Sequence, residues 1–358
     1  MAIVETNLSN LRISIPDFES EFHEIFPGNS NLQHLSWDAV EIYKQVSVLG
    51  SGAFGVVSLV EHINGKRFAR KQATSHFSNT HVEAEMMELV KGHDNIVQLI
   101  DVIPSGAGVD LIIELCDGNL LELIQEKDGL EIEIVKDLAL DIGRALQFMR
   151  SKKISHCDLK PENILYKKDQ SKKSGFRFLV ADFGNATIGD FIDYRIQTCH
   201  YRCSENILAS MSGNESLNQI TSCDYYSLGC ILFEAITTQY LFSNTEDEEI
   251  YLYDQLCFSF YDFFVLWSDM PELFLHEIRQ VKKKDPDFYI FLINFYEYTL
   301  SEISDEIKEE VHKDSFILFK EKVDPSFHNW FDFIKQLVYP FPKKRLQGEK
   351  FFEHDVFQ

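Results

Sequence analysis

An aspartate, a lysine and an asparagine lie close together in the run His156-Cys157-Asp158-Leu159-Lys160-Pro161-Glu162-Asn163, and Asp182-Phe183-Gly184 follows downstream. A carboxylate at Asp158 can take a hydroxyl proton, and Lys160 can neutralise a phosphoryl group. Asn163 and Asp182 can hold Mg²⁺ against ATP. These are the parts that phosphoryl transfer requires. Either run alone would read as a polar turn after a helix; both in this order, at workable spacing, favour the chemistry.

Elements that could position these residues surround them. Residues 43–49, 56–62 and 66–72 are short β-prone runs separated by glycine-containing turns, a three-strand meander. The first turn reads Gly50-Ser51-Gly52-Ala53-Phe54-Gly55-Val56-Val57. Its glycines allow close backbone approach to phosphates. The same spacing opening a helix would suggest a dinucleotide site, but here it joins two strands. The third strand carries Phe68-Ala69-Arg70-Lys71, and helical spacing begins near His81. An apolar strand, Leu111-Ile112-Ile113-Glu114-Leu115-Cys116, precedes helical spacing over residues 120–124 and 134–149, and the second helix delivers the Asp158 loop.

Together these runs resemble the motifs of the eukaryotic protein kinases: Gly-x-Gly-x-x-Gly-x-Val, Val-Ala-Ile-Lys, His-Arg-Asp-x-Lys-x-x-x-Asn and Asp-Phe-Gly. The resemblance implies an α+β, two-lobed fold: a small β-rich lobe over 43–115 and a larger helical lobe over 116–356, with ATP between them. Residues 1–42 are an extension expected to pack on the first lobe, and 243–330 a divergent helical insertion. By the same resemblance Asp158 is the catalytic base, Lys160 faces the transferring γ-phosphoryl, and Lys71 holds the α/β-phosphates. Three glutamates compete to pair with Lys71; the family's leucine four residues on selects Glu85 with Leu89, leaving Glu83 and Glu88 to solvent. ATP is assigned to Gly50, Gly52, Gly55, Val57, Ala69 and Lys71, with the Glu114 carbonyl and Cys116 amide at the adenine edge and Ile113 behind it. Mg²⁺ is assigned to Asn163 and Asp182.

The later segment Tyr194-Arg195-Ile196-Gln197-Thr198-Cys199-His200-Tyr201-Arg202-Cys203-Ser204-Glu205 is similar to that of the SR-protein kinases and, more loosely, the CDC-like kinases, within a CMGC-like group. Lysine two residues after the catalytic aspartate is the serine/threonine form. The resemblance places Thr198 near Asp158 and Lys160, Arg202 under the peptide site, Glu205 in an ion pair with Arg345, and Asp224 beneath the catalytic loop. This chain departs from the SR-protein pattern at Phe183, at Cys203-Ser204 and at Arg195, which replaces a tyrosine that some relatives phosphorylate. Cys157 replaces the arginine that gathers a phosphorylated activation loop, which implies a loop that needs no phosphate or is held otherwise.

The 358 residues carry a formal charge of −23, which favours basic protein partners, arginine/serine-rich proteins among them, over nucleic acid or anionic membrane. Seven cysteines without a Cys-x-x-Cys pair argue against a disulfide framework or structural zinc. With no visible secretory signal or membrane-length apolar run, the expectation is a monomer in the cytoplasm and/or nucleus. Two rivals stay open: a scaffold that binds ATP without turnover, and a kinase for small molecules.

Overall fold

The computed structural model describes residues 42–52, 55–72, 80–105, 108–189, 197–207, 222–242, 255, 323–339, 342 and 345–358. The extension up to residue 41, nearly all of the insertion, and Tyr194, Arg195 and Ile196 lie outside the described residues. The chain divides into two units: Met1–Lys91 with Gln98–Leu115, and Gly92–Val97 with Cys116–Gln358.

The first unit is an antiparallel sheet. β1 (Tyr43–Gly52), β2 (Gly55–His62), β3 (Arg67–Gln72), β4 (Leu99–Ser105) and β5 (Gly108–Glu114) lie in the order β1-β2-β3-β5-β4. One helix, α1 (Thr80–Leu89), follows β3. Its apolar and small residues recur three and four apart, so Thr80, Glu83, Ala84, Met86 and Met87 form the buried stripe.

Gly92–Val97 departs from the expected contiguous first lobe, and its hydrogen bonds give the reason. Asn95 Nδ2 donates to Phe178 O at 3.0 Å. Val97 N donates to Val180 O, and Val180 N to Asn95 O, each at 2.9 Å. His93 stacks on Phe148. The segment therefore belongs with the second unit.

In that unit, β6 (Gly118–Asn119) leads into α2 (Leu120–Lys127), whose start is fixed by an Asn119/Glu122 capping box. α3 (Ile132–Ser151) buries Ile134, Val135, Leu138, Ile142 and Met149 along one stripe. It is followed by β7 (Ile154–Ser155), a 3₁₀ turn (Pro161–Asn163), β8 (Ile164–Lys168), β9 (Phe176–Val180) and β10 (Thr187–Ile188). These pair as β6-β8-β9 and β7-β10. The lysine-rich stretch is the β8–β9 connection, and it is anchored: Lys172 Nζ meets the buried Asp141 at 2.7 Å, and Arg177 pairs with Asp169 at 2.8 Å.

α4 (Cys223–Thr237) is buried from Cys223 to Ala235. Its first thirteen residues are thus a pillar with core on every side. α5 (His328–Leu337) packs beside it, and α6 (Glu349–Phe352) completes an aromatic cluster of Trp330, Phe333, Phe351 and Phe357. The contact between α4 and the end of α5 depends on Gly229, where a Cβ would stand 2.7 Å from Val338 Cγ1 and 2.9 Å from Leu337 Cβ. Gly229→Ala should overpack this contact and cost about 1–3 kcal/mol. Urea unfolding should show a lower midpoint with an unchanged slope.

Candidate active site

Lys71 extends from β3 with Val57 of β2 and Leu111 of β5 directly opposite it. Alternation along the strands puts Val57, Ala69, Lys71 and Ile113 on one face. On that face the Lys71 ammonium bonds both carboxylate oxygens of one glutamate, at 2.8 and 2.7 Å. The partner is Glu83, not Glu85. Glu83 is almost wholly buried, whereas Glu85 is half-buried with no ion pair among the described residues, and burial pushes its carboxyl up.

The reason is helical register. Two residues are about 200° apart around an α-helix, so Glu83 and Glu85 cannot share a face. The apolar residue one turn after the true partner is Met87, buried, while Leu89 is 46% exposed. The buried stripe of Ala84, Met86, Met87 and Val90 was the signal that could have chosen Glu83.

The glycine-rich turn is a hairpin in which Gly50 pairs with Val57 and Gly52 with Gly55. Gly55 has φ 154°, which a residue with a Cβ rarely adopts. At Gly50 nothing lies within 4 Å of where a Cβ would stand, so packing within the protein does not require glycine there. Glu114 ends β5, with its carboxylate accepting from Gln98 N at 2.7 Å, and Cys116 begins the longer stretch of the second unit.

In the second unit, Asp158 is 6% exposed. Its Oδ1 accepts from the Thr198 hydroxyl at 2.7 Å and from Thr198 N at 3.2 Å. Its Oδ2 is held only by long contacts: Lys160 Nζ at 3.3 Å, and Asn163 Nδ2 and Asn185 Nδ2 at 3.4 Å. Bonds of that length are weak, so Oδ2 is the oxygen that an incoming hydroxyl can claim. Lys160 also donates to Thr198 Oγ1 at 3.2 Å. Asp158, Lys160 and Thr198 thus form one cluster.

Asn163 Nδ2 donates to the Asp158 carbonyl at 2.8 Å, which leaves its amide oxygen as the pole available to a cation. Ala181 N donates to Asn163 O at 2.9 Å, bringing Asp182 alongside. Asp182 has φ 64°, and its Oδ1 accepts from Gly184 N at 3.4 Å. Among the described residues no group of three or more His, Cys, Asp or Glu is gathered into a metal cage. One amide and one carboxylate oxygen, with other positions left to phosphate and water, suit Mg²⁺ brought in with a nucleotide.

Beneath the loop, the buried Asp224 carboxylate accepts from His156 N at 2.8 Å and from Cys157 N at 3.0 Å. His156 also meets Ala181 O at 2.9 Å and sets its ring against the edge of Phe183. Cys157 is fully buried at φ 62°, with Sγ 3.5 Å from Thr187 Oγ1. Glu205 and Arg345 form a bidentate pair at 2.7 and 2.8 Å.

Sequence reasoning did not single out Gln197. It is buried at φ 80°, donates to Ser227 Oγ at 3.0 Å, and accepts from Cys203 N and Asn206 Nδ2. Arg202 donates to its carbonyl at 3.0 Å. The residue beside Thr198 is therefore locked to α4.

A family model described as "Protein kinase domain" matches residues 43–357. The chain belongs to the protein kinase family. This kinase domain is 30% identical over 218 residues to the dual specificity protein kinase CLK1 of Mus musculus, covering 54% of this chain and 44% of that protein. It is 29% identical over 217 residues to cyclin-dependent kinase-like 1 of Caenorhabditis elegans, covering 57% and 58%. It is 33% identical over 218 residues to the putative ribosomal protein S6 kinase alpha-2 of Caenorhabditis elegans, covering 56% and 28%. The kinase matches less than two thirds of the length of each of these relatives, and the CLK and cyclin-dependent kinase-like relatives agree with the CMGC-like resemblance. Among its described residues no helix is long and apolar enough to cross a membrane.

Asp224 uses each oxygen on a different backbone amide of the kinase. Asp224→Asn keeps one acceptor and turns a donor toward the second amide, an exchange that should cost about 1–3 kcal/mol. Hydrogen exchange should report lost protection at His156 or Cys157, while amides of the first unit keep theirs.

Proposed function

We propose that this chain transfers the γ-phosphate of Mg²⁺-ATP to serine or threonine hydroxyls of proteins. The observation that carries the reading is the Asp158–Lys160–Thr198 cluster, with one carboxylate oxygen firmly held and the other weakly held. The bound nucleotide and Mg²⁺ supply the phosphoryl group and part of the charge that neutralises it. Asp158 Oδ2 orients the acceptor hydroxyl and receives its proton as the new O–P bond forms and the bond to the β-phosphate breaks. Lys160 faces the charge on the transferring group. Lys71, aligned by Glu83, would hold the α/β-phosphates, Gly50, Gly52 and Gly55 would let the backbone approach them closely, and Val57 and Ala69 would serve the adenine. The Glu114 carbonyl and Cys116 amide bond the adenine edge, and Asn163 and Asp182 hold Mg²⁺.

Activation-loop phosphate is unnecessary in this reading. Cys157 offers no cation to such a phosphate, and the end of the segment is held by Thr198 on Asp158 and by Gln197 on Ser227. Arginine/serine-rich proteins are the first substrate class, on the resemblance of the 194–205 segment and the charge of −23. Seven cysteines without a Cys-x-x-Cys pair support a reducing compartment, cytoplasmic and/or nuclear.

The test is transfer of labelled phosphate by the phosphatase-treated protein, with an arginine/serine-rich protein, a generic basic protein and an acidic protein as acceptors and Asp182→Ala as the blank. Transfer to serine or threonine, lost in the blank, is expected. ATP binding without transfer to any acceptor would overturn the activity in favour of a scaffold, and label on tyrosine would overturn the acceptor assignment.

The two glutamates of α1 give a separate prediction. Glu83→Gln should lower kcat/KM about 100-fold by releasing Lys71, while Glu85→Gln should stay within about threefold. Steady-state kinetics on the two variants decides which glutamate matters.

A further inference from the structure

The β-sheet of the first unit has two faces, and only one is accounted for. Lys71 and α1 share one face through the Lys71–Glu83 pair. Strand register puts Val60 opposite Phe68, Arg70 opposite Ile112 and Ile103 opposite Asp110 on the other face. There Val60, Ile103 and Ile112 are each 0% exposed. The described apolar side chains packed at this place are Tyr43, Val60, Ile103 and Ile112, with Ile42 and Phe68 against them. Side by side on one sheet, these form a single layer. A sheet face loses all exposure only beneath a second layer, about 10 Å away. No described helix or strand of the first unit supplies it.

The polar atoms of the same face make the same demand. Arg70 and Gln72 both donate to Asp110 Oδ2, yet Asp110 Oδ1, Ser58 Oγ and Ser105 Oγ are buried with no hydrogen-bond partner. Buried polar groups left so are costly, and a covering segment would bring partners.

We propose that residues 1–41 of this chain form the second layer on this face. The chain reaches the sheet here: Ile42 packs against the cluster, Ile63 N donates to Ile42 O at 3.0 Å, and Tyr43 bonds Asp101 at 3.2 Å with its ring against Phe68. The preceding residue therefore leaves from the edge of the uncovered layer. Within the extension, Phe18, Phe22, Ile25 and Phe26 recur at i, i+4, i+7 and i+8, with Glu19, Glu21 and Glu24 between them. That spacing gives a helix one apolar face. Exposed Val46, Val48 and Leu49 leave the later part of β1 outside the covered area, which takes in the Tyr43 end of β1 and the four strands β2, β3, β5 and β4, about 15 Å across. Nine helical residues span about 14 Å. The cover braces β3 from behind, the strand whose other face carries Lys71. None of this depends on the catalytic reading.

The experiment is photocrosslinking in the full chain with p-benzoylphenylalanine in place of Phe68, followed by peptide mapping. A crosslink to a peptide from residues 1–41 within a single molecule is the expected result. Crosslinks only to residues 190–221 or 243–322, a crosslinked dimer, or no crosslink would overturn the proposal. A second variant guards against a local fault at Phe68: full-length Phe22→Asp/Ile25→Asp should melt about 5 °C lower or more. It should also lose about tenfold or more of the exchange protection in β2, β3 and β5. A melting point and protection equal to the parent chain's would equally overturn it.

Discussion

A single buried carboxylate governs the geometry of the catalytic loop. Asp224 sits at the start of α4, a helix enclosed by core, and each of its oxygens receives one backbone N–H from the His156–Cys157 pair. Burial raises its carboxyl above the ordinary value, and the neighbouring His156 ring, the two amides and the Cys223 thiol act against that rise. The support runs both ways. Cys157 adopts a left-handed conformation that a side-chain-bearing residue resists, and the two bonds hold it there. From that fixed point the next residue is Asp158, and Lys160 and Asn163 follow within one turn of chain.

The other side of the cluster is fixed from the same helix. Gln197, also left-handed, is tied to Ser227 one turn along α4 from Asp224. Thr198 is thereby set where its hydroxyl meets Asp158 and Lys160 together. Asp158 is held from below and from the side by one rigid element, which is how a site made of two loops acquires defined distances. The Glu205–Arg345 pair completes the arrangement, because Arg345 also donates to Ser222 O, the residue before α4, at 2.8 Å.

The sequence disclosed most of this where the chemistry is written in contiguous residues. Asp158, Lys160, Asn163 and Asp182 sit in two short runs, and backbone bonds between those runs bring them together. The distant Glu205–Arg345 pair was legible only through the family resemblance, because nothing in the local pattern links two residues so far apart in the chain. What the family rule misread was the phase of α1. A glutamate-and-leucine rule chose Glu85, but the helix presents its methionine stripe inward, and Glu83 turns with it. Gln197 was also hidden. A glutamine carries no spacing signature, and its importance arises only from being buried where Ser227, Cys203, Asn206 and Arg202 converge. The placement of Gly92–Val97 was similarly invisible, since its hydrogen bonds run to residues more than eighty positions away.

That short segment has a consequence for dissection of the protein. The chain passes from the first unit to the second after Lys91, returns at Gln98, and leaves again after Leu115. No single cut in the gene separates the two. A fragment ending at Leu115 would carry Asn95 and Val97 without the strand they bond, and the complementary fragment would lose part of its own wall. Recombination or circular permutation that respects the structure must therefore keep all three crossings.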